Sequence, residues 1–164
     1  MKQNCWRLYQ DLVKAKYYFQ FYKGQAARTD RILSIIIAII SSASVASWLI
    51  WKDLTILWAI IIGASNILTI LKPYLPYEKR VSAVSYMLPE LKVLINEVEY
   101  FYNIINSGKN DIDDNEISDC IRSFKQAYTS LENRFIDNAI FSDNPKIAKK
   151  AEISAKKELT DNIR

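Results

Sequence analysis

The sequence predicts an all-α membrane protein: a two-span transmembrane helical hairpin with an N-terminal cytoplasmic helix and C-terminal cytoplasmic helices. Three observations carry this expectation. Twenty residues from Ile32 to Trp51 and eighteen from Leu54 to Leu71 carry no charge, and only Lys52 and Asp53 separate the two runs. Positive charge is concentrated just before the first run. Elsewhere apolar residues recur at steps of three and four, with no alternating strand pattern.

The averages hide this arrangement. At 164 residues the chain has the size of one domain, and a hydrophobic share of 50% with a mean hydropathy of −0.07 is ordinary for a soluble protein. The net charge of +4 is uneven: residues 1–31 hold seven Lys/Arg against two acids, and residues 72–164 hold fourteen against fifteen. A nucleic-acid binder spreads its charge along a groove among aromatic side chains. Here the excess stops at the edge of an apolar run, so it reads as a topology signal and no direct nucleic-acid contact is expected.

Residues 1–31 form the first element. Cys5, Leu8, Leu12, Ala15, Phe19, Tyr22 and Ala26 make a regular seam, which predicts an amphipathic cytoplasmic helix.

Residues 32–71 form the hairpin, with spans at 32–51 and 54–71. A hydrocarbon core about 30 Å thick takes about 20 apolar residues in helix, and both runs reach that length. The competing reading is a helical hairpin buried in a soluble core. Such helices carry one polar face, whereas Ile32–Ile40 and Leu57–Ile62 are apolar on nearly every side. A cleavable signal peptide fits poorly, because the charged leader is long and a second apolar run follows at once.

Orientation follows from the flanks. Lys23, Arg28 and Arg31 precede the first span, and Lys72, Lys79 and Arg80 follow the second, so the positive-inside rule places both termini in the cytoplasm. Trp48, Trp51 and Trp58 cluster at the hairpin end as candidate interface anchors. Tyr17, Tyr18, Tyr22, Tyr74 and Tyr77 lie towards the other side, as a second belt or as packing within the cytoplasmic helices.

The spans also carry polar and small residues. At about 100° per residue, Ser34, Ala38, Ser41 and Val45 share one stripe of the first span. On the second, Thr55, Ala59, Asn66 and Thr69 line up, with Gly63 on the flank. Ala59 and Gly63 have the small-xxx-small spacing that lets helices approach closely in lipid. The Asn66 amide is costly against hydrocarbon and must face another helix or water. Ser34, Ser41, Thr55, Ala59, Gly63, Asn66 and Thr69 are therefore candidates for packing within the hairpin, for a subunit interface or for a pore wall.

Residues 72–164 form the cytoplasmic helical region. Val81, Val84, Leu88, Leu91, Ile95, Val98, Tyr102 and Ile105 repeat the helical step, and Pro89 either kinks this helix or opens a new one. Asn106–Asp114 reads as a loop, with Asp113 and Glu116 resembling a capping box. Ile117, Ile121, Phe124, Tyr128, Leu131 and Phe135 follow as a further seam. Asp143-Asn144-Pro145 then opens a last, Lys-rich helix. These seams need partners, either each other or other copies of the chain, so a homo-oligomer is expected.

The chain has no histidine, which removes the usual general base and most zinc sites. Its three glycines form no phosphate-binding loop. No enzyme activity, cofactor or metal is expected. Asp111–Asp119 lacks the spacing and the central glycine of a calcium loop. Cys5 and Cys120 form no CxxC and are expected as free thiols in a reducing cytoplasm.

The order of parts is more specific than any one of them. Trp6-x-x-Tyr9 in a basic, aromatic-rich leading helix, Ala26-Ala27-Arg28 at the entry to the first span and the Trp51-Lys52-Asp53 turn resemble the SLATT family, two-transmembrane effector domains of prokaryotic conflict and antiphage systems. The resemblance covers nearly the whole chain and is architectural. It implies pore formation in the membrane when a partner sensor protein, encoded nearby, signals. It brings no catalytic residues. Two other readings stand beside it: a membrane-anchored interaction or scaffold protein whose hairpin is only an anchor, and a small transporter subunit. The latter lacks any charged residue inside a span.

Overall fold

The computed structural model describes residues 2–50, 55–107, 112–136 and 143–161. The side chains at 41–50, 55 and 58 lie outside this description. The described residues are helical almost throughout and contain no strand. The elements are α1 (Lys2–Ile50), α2 (Thr55–Leu71), a 3-10 turn (Lys72–Tyr74), α3 (Tyr77–Ser107), α4 (Asp114–Phe135) and α5 (Pro145–Asp161).

Each boundary has a local cause. α1 contains no proline and runs unbroken past the charged positions 28–31 into the apolar run. α2 stops where Pro73 and Pro76 remove two backbone donors; between them the Leu75 N–H donates to the Lys72 carbonyl at 3.1 Å. α3 begins at Tyr77 and passes through Pro89, so Pro89 does not open a helix. Proline has no N–H for the Ser85 carbonyl, a loss of one ladder bond that the flanking turns tolerate.

Asp113 takes the extended backbone of an N-cap, but its carboxylate does not close a capping box. It accepts instead from the Asn115 amide at 2.9 Å. At α5 the cap is complete: Asn144 Oδ1 accepts from the Lys146 and Ile147 N–H groups at 3.1 and 3.4 Å, and Pro145 occupies the first helical position.

The chain divides into two compact units, one of Met1–Gly24 with Arg80–Arg164 and one of Gln25–Lys79. In the first, residues 2–24 of α1, α3, α4 and α5 share a core. Cys5, Leu12, Val13, Val84, Met87, Leu91 and Val98 are fully enclosed in it, joined by Ile117, Ile121 and Leu131 from α4 and by Ala155 and Leu159 from α5. Trp6 packs on Tyr102 and Phe101 on Phe124, so α1 and α4 both lie against α3. Lys16 donates to both carboxylate oxygens of Glu158 at 2.7 and 2.6 Å and ties α5 to α1. Glu90 pairs with Arg134 between α3 and α4. The seams of the N-terminal and C-terminal helices thus serve one another. Tyr17 and Tyr18 pack against this core and Tyr22 is buried, so these three belong to the helical unit.

In the second unit, the Lys72 ammonium donates to Ser34 Oγ at 2.7 Å. Only positions 51–54 separate the end of α1 from the start of α2. A contact between the far ends of the two segments therefore requires them to run antiparallel.

Candidate functional site

The second unit exposes what a water-soluble helix pair buries. Ile32, Ile35, Ile36 and Ile39 on α1 are exposed, as are Ile56, Leu57, Ile60, Ile67, Ile70 and Leu71 on α2; Ile56 reaches 79%. On α1 the half-buried positions are Leu33, Ser34, Ile37 and Ile40. On α2 they are Ile61, Ile62 and Leu68, with Ser65 buried at 4% exposure, and Lys72 continues this side at the start of the 3-10 turn. Spacing of three and four makes each set one helix face. Among the described residues, one stretch, Ala59–Ser107, which runs from α2 through the 3-10 turn into α3, is long and apolar enough to cross a membrane by length and composition.

The candidate polar residues separate into two groups. Ser34 lies on the inner side, where its hydroxyl accepts a hydrogen bond from the Lys72 ammonium and donates one to the Asp30 carbonyl at 2.8 Å. Ala59, Gly63, Asn66 and Thr69 are exposed in the single chain. A Cβ built on Gly63 meets nothing within 4 Å, so no other described part of the chain approaches it closely. Thr69 satisfies its hydroxyl on the Ser65 carbonyl one turn earlier, at 2.9 Å. Among the described residues the structure thus brings Ser34 to a partner and does not bring Asn66, Gly63 or Ala59 to one. Trp51, and the side chains of Ser41, Trp48, Thr55 and Trp58, lie outside the described residues.

Ser65 and Lys72 add to the sequence-derived candidates. The step Ile61–Ser65–Leu68–Lys72 is present in the sequence, but nothing in it distinguishes Ser65 from its small neighbour Ala64. Lys72 read only as a flanking charge.

A second polar cluster lies in the first unit, around a cavity of about 390 Å³ lined by Asp11, Lys14, Tyr18, Tyr128, Glu132 and Asp143 over an apolar floor that includes Phe19 and Ala151. Burial pushes the Tyr128 phenol well above its ordinary value, reinforced by its hydrogen bond to Glu132. Burial likewise raises Tyr18. Elsewhere in this unit, burial alone would raise the Glu158 carboxyl, but hydrogen bonds from Lys16 and Tyr17 and the Lys16 charge outweigh it and hold it below the usual range. Burial raises the Cys5 thiol, and nearby Cys120 adds to this; both cysteines are free. Among the described residues no group of three or more His, Cys, Asp or Glu side chains is placed to hold a metal ion.

These observations define a class: an all-helical protein with a helical stretch long and apolar enough to span a bilayer. No family model matches the chain, and neither curated proteins nor solved structures provide a match.

Proposed function

We propose that this chain is a membrane-embedded effector that crosses the inner membrane twice as a hairpin, with both termini in the cytoplasm. It oligomerises and permeabilises the bilayer when a partner sensor signals, as its similarity to SLATT effectors implies. The observation that carries the reading is the exposed isoleucine and leucine surface of the second unit, on both α1 and α2. At about 25 cal/mol per Å² of apolar surface, ten such side chains in water represent a penalty of many kcal/mol, which lipid removes.

Asn66 supports the oligomer. It is exposed in the single chain and makes no side-chain hydrogen bond among the described residues. In hydrocarbon it needs another helix or water. Two helices cannot enclose a water-filled lumen, so a pore needs at least about four subunits, each presenting Asn66 and Thr69 inward with Gly63 on the flank against a neighbouring helix.

Uncontrolled expression should slow growth and depolarise the membrane, and Asn66→Leu should relieve this without lowering the amount inserted. If the parent never permeabilises cells or liposomes while its genomic partners are active, the hairpin is an anchor and the function lies in the cytoplasmic helices.

A further inference from the structure

α3 carries a second apolar stripe on the side opposite its core face. Tyr86, Val93 and Tyr100 are 67%, 57% and 69% exposed, while Val84, Leu91, Leu94 and Val98 of the same helix are buried. Steps of seven drift by only about 20° per heptad, so the three side chains form one straight line along the helix. Exposed Asn96 and Asn103 flank it three residues after Val93 and Tyr100. Lys92 and Glu97 lie on opposite flanks of the stripe, both exposed, and neither makes an ion pair among the described residues.

We propose that this stripe docks against the same stripe of a second copy of the chain, the two α3 helices running parallel. The parallel direction rests on the membrane reading, because copies inserted in one bilayer share an orientation. In a parallel pair, the residue just before each seam position meets the residue five further along the partner helix. Lys92 of each copy then faces Glu97 of the other, giving two opposite-charge contacts, and Asn96 meets Asn96 across the seam. An antiparallel pair centred on Val93 places Glu90 against Asn96 and loses this match.

The area fixes how the contact works. Three side chains of this size offer about 300–400 Å² per copy, against about 800 Å² per partner in a freestanding complex. The stripe is thus too small to hold two free molecules. It suffices for copies that a shared bilayer already concentrates and orients, where it sets which faces meet.

The test uses the full-length protein in phosphatidylglycerol-containing liposomes, in a Cys5→Ala/Cys120→Ser background, with a short bis-maleimide cross-linker and a parallel dye-leakage assay. Val93→Cys should give a covalent dimer, and Lys125→Cys on the exposed side of α4 should not. Lys92→Glu should lose most of the Val93 cross-link, and Lys92→Glu/Glu97→Lys should regain it. Absence of the Val93 dimer, equal dimer from Lys125→Cys, or failure of the double swap to restore it would each overturn the seam. Leakage without a Val93 dimer keeps the pore reading and rejects the seam. A Val93 dimer without leakage keeps the seam and leaves the hairpin as an anchor.

Discussion

The two units treat the same kinds of side chain in opposite ways. In the first, Leu12, Val13, Met87, Leu91 and Val98 are sealed inside. In the second, isoleucine and leucine cover the surface and the most enclosed described polar residue is Ser65. α1 passes through both regimes as one helix, so secondary structure does not distinguish them. On the membrane reading proposed above, what differs is the solvent each stretch is built for. Burial drives packing only where water surrounds the helices; in lipid, helices associate through close packing and hydrogen bonds, and the Lys72–Ser34 contact would be one of these.

This contrast has a large and testable consequence. Leu12→Ala or Leu91→Ala should destabilise the first unit by about 2–5 kcal/mol, because each removes a fully enclosed side chain. Ile67→Ala, an equally large truncation on the exposed surface of α2, should cost under about 1 kcal/mol in the same detergent-solubilised protein. Denaturant unfolding followed by circular dichroism separates the two. Equal losses would erase the distinction between the units.

A smaller effect concerns the link between α1 and α5. Glu158→Gln leaves the partly buried Lys16 ammonium without its counter-charge and should cost about 1–3 kcal/mol. The sign with pH follows from a folded-state value held below that of the unfolded chain. The contribution is fully present above the unfolded carboxylate value and is lost as pH falls through the folded one. Stability of the parent should therefore drop on acidification more steeply than that of Glu158→Gln. Parallel acid titrations of the two proteins would show it, and identical curves would remove Glu158 from the account.

The smallest effect lies at Gly63. A Cβ there meets nothing in the single chain, so Gly63→Ala should leave the hairpin intact and add up to about 1 kcal/mol of helix propensity. The oligomeric fraction in mild detergent should nevertheless fall, since a neighbouring helix would lose its close approach. An unchanged mass distribution would place the interface elsewhere.

Much of this organisation was legible in the sequence, for identifiable reasons. Periodicity gave the helices and most of the core seam, since Cys5, Leu8, Leu12, Phe19 and Tyr22 are all buried. Asn144-Pro145 gave the start of α5 because capping is a local property. Two things were not legible. Pro89 left open whether α3 was one helix or two, because tertiary packing decides whether the missing bond is tolerated. The inner face of the second unit was also hidden: a helix apolar on nearly every side has no periodic signal, so Asn66 drew attention while Ser65 and Lys72 did not. The step of seven in Tyr86, Val93 and Tyr100 was equally present in the sequence, but only burial separates a spare stripe from a core stripe.

The most direct test of the central claim asks what solvent touches Ile67. A spin label at Ile67→Cys in liposomes, in the Cys5→Ala/Cys120→Ser background, should be accessible to molecular oxygen and shielded from a water-soluble nickel complex. The same label at Ser123→Cys, on the exposed side of α4, should show the reverse. Ready access of the nickel complex to position 67 in the reconstituted protein would mean that this surface faces water, and the membrane account would be wrong.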